Sequence, residues 1–131
     1  MPIRTRLTTK GLEEWLERLA QAGQDIDAIA GEALLSGGEL LLDGMQRRVP
    51  VDTHNLQNHL NLQGPTRDGN FTFVEIGLMG ADKETARYGN VQEFGSSSMA
   101  AQPYVRPTLD EDIKKARQKM VEVFREYGGG M

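Results

Sequence analysis

Between Asp25 and Pro50 the chain carries one long stretch of helical periodicity. Ile26, Ile29, Ala30, Ala33, Leu34, Leu40, Leu41 and Met45 recur as a broad apolar stripe, which predicts a helix over 25–48. Asp25 is a good N-cap, Arg47 and Arg48 suit the C-terminal end of the helix dipole, and Pro50 stops the helix. Gly37 and Gly44 fall on or near the stripe. An interior glycine costs about 1 kcal/mol relative to alanine, so this helix needs tertiary contacts to form. Small residues on its buried face let another backbone approach closely; a kink at Gly37-Gly38 is the competing reading.

A partner for that stripe is available at the other end of the chain. Leu109, Ile113, Ala116, Met120, Phe124 and Tyr127 predict a helix over 107–127, with Pro107 in its first turn. Asp110, Glu111 and Asp112 precede Lys114, Lys115, Arg117 and Lys119, an order that suits the dipole and pairs Glu111 with Lys115. A shorter helix is predicted over 11–22 from Leu12, Trp15, Leu16 and Leu19, with Thr8 or Thr9 as its cap and Gly23 at its end. Trp15 reads as a core anchor.

The middle of the chain changes period. Asp52 or Thr53 can cap a short helix over 54–59. Leu60 and Leu62 begin a hairpin arm, 64–70 is loop-like, and 71–78 is the returning arm. Thr72, Val74, Ile76 and Leu78 share one face, while Phe71 and Phe73 point the other way, so both faces are covered. Residues 2–9 alternate loosely and read as an N-terminal edge strand. Residues 79–102 form a long irregular loop. Within it Tyr88, Val91 and Phe94 are spaced for a two-turn helix, capped by Gly95 in the left-handed conformation. The expectation is a single α+β domain over 1–131, with three main helices packed on a small antiparallel sheet and a loose tail over 128–131.

Several function classes are disfavoured. The chain has 131 residues and no cysteine, which excludes disulfides, thiol catalysis and Cys-based zinc sites. His54 and His59 are its two histidines, five apart rather than on the i, i+4 face that zinc helices use. They read, with Asp52 and Thr53, as capping and surface residues. Ser96–Ser98 lack a nucleophile elbow, and there is no Gly-rich nucleotide loop or P-loop. Glu75 reads as a residue on the outer face of a strand. No enzyme activity, metal, cofactor or small-molecule substrate is expected. No strictly apolar run exceeds three residues, Leu40–Leu42 being one, so no membrane span is expected. The net charge is −4, which argues against a duplex-DNA reader driven by counterion release.

Four segments, in order, carry a resemblance. They are Gly11-Leu12-Glu13-Glu14-x-Leu16, Pro50-Val51-Asp52-Thr53-x-Asn55-Leu56, Val91-x-Glu93-Phe94-Gly95-Ser96 and Gln102-Pro103-Tyr104-Val105-Arg106-Pro107. Together they resemble the tail-component (neck) family of long-tailed bacteriophages, typified by the tenth gene product of a lambdoid coliphage. His54 stands where that pattern prefers Gly, and Gln102-Pro103 where Arg-Pro is commoner. The resemblance implies a structural subunit that forms a homo-oligomeric ring in the neck or head-proximal tail. Such a subunit joins head-closure or connector proteins to tail-end proteins and leaves a channel that DNA crosses without tight binding. It implies residence in the virion, and in the host cytoplasm during assembly. The alternative is a monomeric binding module or capsid accessory protein.

A ring needs heterologous interfaces. Tyr88, Val91, Phe94, Met99, Tyr104 and Arg106 are the candidates for an assembly interface or for anchoring the 79–102 loop. Apolar Met79, Val91 and Met99 would be costly to leave loose, which suggests that the loop orders against a neighbouring subunit. Pro107 favours an extended Arg106, whose guanidinium fork could clamp a carboxylate or loop carbonyls within its own subunit or across the ring.

Overall fold

The computed structural model describes residues 4–50 and 54–128. Its elements run β1 (Arg4–Thr8), α1 (Glu13–Gln21), α2 (Ile26–Arg48), α3 (His54–His59), β2 (Leu60–Asp68), β3 (Phe71–Leu78), α4 (Lys83–Phe94) and α5 (Val105–Gly128). The architecture is α+β, as the periodicities predict. The expected caps Asp52 and Thr53, the first residues of the N-terminal strand and residues 129–131 of the expected tail lie outside the described residues, whereas Gly128, expected to begin that tail, ends α5.

The organising element is α2, a continuous helix of 23 residues, about 34 Å long at about 1.5 Å per residue. Asp25 caps it by accepting from the Ala28 N–H. Leu34, Leu41 and Met45 are fully buried along its length. It lies between α5 on one side and the sheet on the other, and its glycines are where the neighbours come closest. A Cβ on Gly37 would sit 2.9 Å from the Ala116 carbonyl oxygen of α5, and one on Gly38 would sit 2.5 Å from Leu62 Cδ1 of β2. Gly44, seven residues after Gly37 on the α5 side, leaves room for the Asp112 carboxylate. The propensity cost of these glycines is offset by the packing they permit.

The sheet is antiparallel in the order β1-β3-β2, so the hairpin's returning arm is its central strand. Val74 and Ile76 bury completely against α2. Phe73, on the opposite face, is nearly buried because the Arg6 guanidinium lies over its ring at 4.1 Å; Lys10 covers Phe71 in the same way at 4.3 Å. The hairpin is longer than predicted. Thr66–Asp68 pair with Phe71–Phe73, so the turn is only Gly69-Asn70, and Gly64-Pro65 is a bulge within β2 rather than a loop.

Three further expectations are corrected. The start of α1 has no side-chain cap: Thr9 accepts the Thr72 N–H across the sheet instead. Half of the 79–102 segment is helix, because Asp82 caps α4 through the Thr85 N–H at 2.7 Å and α4 runs three turns to Phe94. The last helix begins at Val105, so Arg106 is helical, not extended. Trp15 does serve as a core anchor, half-buried with its ring 6.2 Å from that of Phe124. No helix among the described residues is long and apolar enough to cross a membrane.

Candidate assembly face

The first two turns of α5 are fixed by charges that arrive from other elements. Thr108, Asp112, Ala116, Met120 and Phe124, each four residues apart, form its buried line. The upper part of that line is therefore polar, whereas Leu109 and Ile113, predicted as core, are only half-buried. Asp112 is 3% exposed and takes a 2.7 Å hydrogen bond from Arg48 Nη1 at the end of α2. The same nitrogen donates to Thr108 Oγ1 and to the Gly44 carbonyl. Glu111 pairs with Arg48 at 2.7 Å rather than with Lys115, because the α2 terminus brings a guanidinium within reach. The Arg48 hydrogen bond, helped by the charges of Arg48 and Arg47, holds the Asp112 carboxyl below the usual carboxylate range despite its burial.

Glu93 performs the companion task from α4. It is 2% exposed, and its carboxylate accepts three main-chain N–H groups: Tyr104 and Val105 at 2.8 Å on Oε1, and Arg106 at 3.0 Å on Oε2. A helix start leaves such donors without intrahelical partners and favours a negative charge beside them. Pro107 follows where a missing N–H costs nothing. The contact foreseen for the Arg106 guanidinium is thus made by its backbone N–H, and its side chain is exposed. Tyr104 is fully buried behind this clamp, its hydroxyl donating to the Gly89 carbonyl at 3.2 Å. Burial, and then the charge of Glu93, push its phenol well above the ordinary range.

The chain between α4 and α5 is tied down as well. Gln102 N–H donates to the Gln92 carbonyl at 2.7 Å, and Ser96 N–H to the Met99 carbonyl at 2.8 Å. Gly95 ends α4 with φ 79° and ψ 179°, a conformation close to glycine-only, rather than in the left-handed helical one expected. These bonds tie the segment to its own chain.

What this scaffold presents outward is apolar. Phe94 is 53% exposed, Tyr88 42% and Met99 37%, with Val91 half-buried between the first two. A shallow groove of about 460 Å³ lies among Arg87, Asn90, Val91, Phe94 and Gly95. Asn90 Oδ1, in that groove, is buried without a hydrogen-bond partner among the described residues. Of the six predicted residues, α4 therefore gathers Tyr88, Val91 and Phe94 on one helix. Met99 is exposed beyond the turn at Gly95, Tyr104 is buried with its hydroxyl on the Gly89 carbonyl of α4, and Arg106 is exposed where α5 begins. Glu75 makes a 3.8 Å ion pair with Arg4 on the sheet's outer face. Sequence reasoning missed Glu93 and Asp112 as structural carboxylates. For Glu93 a partial signal was present, since Pro107 implies orphan N–H groups just before it; the four-residue spacing of Asp112 with Thr108, Ala116 and Met120 competes with the apolar line of Leu109 and Ile113.

Residues 12–95 match a family model described as "Bacteriophage HK97-gp10, putative tail-component". The match covers more than half of the chain, and the protein belongs to this HK97-gp10-like family of phage tail components. It includes α4 up to Gly95, and the Gln102–Pro107 segment lies beyond it. No curated protein and no solved structure matches the chain.

Proposed function

We propose that this protein is a non-enzymatic structural subunit of the phage neck or head-proximal tail. In this reading it forms a homo-oligomeric ring, contacts head-closure or connector proteins on one side and tail-end proteins on the other, and leaves a channel for DNA. It is made in the host cytoplasm and resides in the virion. Family membership supports the tail-component part of the reading. The observation that carries the assembly part is the rigid apolar face of α4: aromatic side chains left about half exposed on a clamped scaffold mark an interaction surface. The net charge of −4 per subunit, repeated round a ring, disfavours retention of passing DNA. Deleting the coding sequence from the phage tests the reading. Filled heads separated from completed tails, rejoined when the protein is supplied in trans, are the expected result. Normal infectious virions in the deletion would overturn it.

A further inference from the structure

The α4 face lies at one end of the molecule, beside the C-terminus of α2 and the start of α5. At the opposite end, the N-terminus of α2, α1 and the hairpin tip enclose a second groove of about 320 Å³. The separation follows from α2 itself. Arg48 at its C-terminus bonds Thr108 and Asp112, whereas Asp27 at its N-terminus pairs with Arg67 of β2 at 2.8 Å. The two grooves are thus about one long helix apart, on the order of 30 Å.

Their chemistries are complementary. On α4, Lys83, Arg87 and Phe94 lie on one helical line at spacings of four and seven, and Arg106 stands exposed beyond the clamp. Glu93, the acidic residue beside Phe94, is buried and engaged by three N–H groups. Glu84 is exposed on the neighbouring line with Tyr88 and Val91, so the margin of this apolar face carries Lys83, Arg87 and Arg106 against Glu84 and is net basic. The distal groove has a half-buried apolar floor that includes Leu16 and Ile26, and its rim carries Glu13, Glu17 and Asp27. Arg67 neutralises Asp27, which leaves Glu13 and Glu17 as a net acidic margin.

We propose that the Phe94 face of one copy seats in the Glu13–Glu17 groove of a second copy. Phe94 contacts the Leu16–Ile26 floor, and Arg87 meets Glu13 or Glu17. The contact joins different surfaces at opposite ends of the subunit, so it is heterologous and propagates, closing into a ring where the rotation permits. This inference rests on the ring reading above and supplies its interface.

The absence of cysteine makes the test clean, since any disulfide reports only on introduced pairs. Phe94→Cys and Ala20→Cys chains, each verified as folded by circular dichroism, are mixed and oxidised mildly. The expected product is a covalent pair of unlike variants, and a chain carrying both substitutions gives a ladder or closed ring. Sedimentation then reads the charges: Arg87→Glu or Glu17→Arg alone weakens self-association by about tenfold or more, and the two together in one chain recover it. Preferential joining of Phe94→Cys to itself overturns the inference, as does joining to a different virion protein in particles. So does an oligomer indifferent to all these changes, or a protein that is monomeric at every concentration. None of these outcomes touches the ring reading if the phage deletion still leaves heads and tails apart. Normal virions in that deletion remove the reading itself.

Discussion

Glu93 and Gly95 are separated by one residue, and that residue is the exposed Phe94. The carboxylate before it anchors three N–H groups of α5, and the glycine after it turns the chain away from α4. Both make the presentation of Phe94 rigid. Glu93→Gln keeps the shape but removes the charge and half the acceptor capacity. A loss of about 2 kcal/mol in urea unfolding is expected, with faster hydrogen exchange at the amides of Tyr104, Val105 and Arg106. Unchanged exchange at those amides would mean that the clamp is not what orders them. Gly95→Ala faces two obstacles: backbone angles that side-chain-bearing residues avoid, and the Ala101 nitrogen 3.0 Å from the new Cβ. The expected cost is about 1–3 kcal/mol, read from the shift of the urea midpoint. The glycine at this position was legible from the sequence as a helix end; its backbone angles were not, because they depend on where Ala101 and Met99 pack.

At the level of helices, α2 and α5 form the most extensively packed pair of elements. A Gly37→Ala change would improve helix propensity by about 1 kcal/mol. The new methyl would meet the Ala116 carbonyl at 2.9 Å and Leu7 Cδ2 at 2.9 Å, and overpacking of this kind costs about 1–3 kcal/mol. Packing wins, so calorimetry should show a lower Tm for Gly37→Ala, against the direction that propensity alone predicts. The polar end of the pair gives a pH dependence. The folded-state pKa of Asp112 is depressed, mainly by its Arg48 hydrogen bond. Its stabilising contribution is therefore present above the unfolded carboxyl value of about 3.9, and is lost as pH falls through the lower folded value. Asp112→Asn removes the buried charge partner of Arg48, which keeps Glu111, Thr108 and the Gly44 carbonyl, and should cost about 2 kcal/mol at neutral pH. The variant should also lose less stability than the parent between pH 7 and pH 3, measured by urea titration at each pH. Both helices could be read from periodicity, and the close approach at Gly37 and Gly44 from their place on the stripe. The rotation of α5 that turns Asp112 inward could not, because Leu109 and Ile113 offer an equally regular apolar line. The choice between the two lines depends on Arg48, which belongs to another element.

For the assembled particle, the decisive quantities are surface charge and the placement of the two grooves. Weak binding of the purified protein to duplex DNA is expected at physiological salt, measured by fluorescence anisotropy. Tight, strongly salt-dependent binding would count against a lumen built to let DNA pass. The α+β class, the long glycine-bearing helix, the hairpin and the phage-tail resemblance all follow from local pattern. Period, capping residues and short ordered motifs are properties of neighbouring positions, so one chain suffices to read them. The full length of α4, the earlier start of α5, the use of Glu93 and Asp112 as buried anchors, and the position of an acid-rimmed groove one α2 length from Phe94 needed the tertiary structure. Each depends on contacts between residues far apart in the chain. Glu93, between Gln92 and Phe94, reads the same whether it faces water or three N–H groups, and only the packed fold decides which.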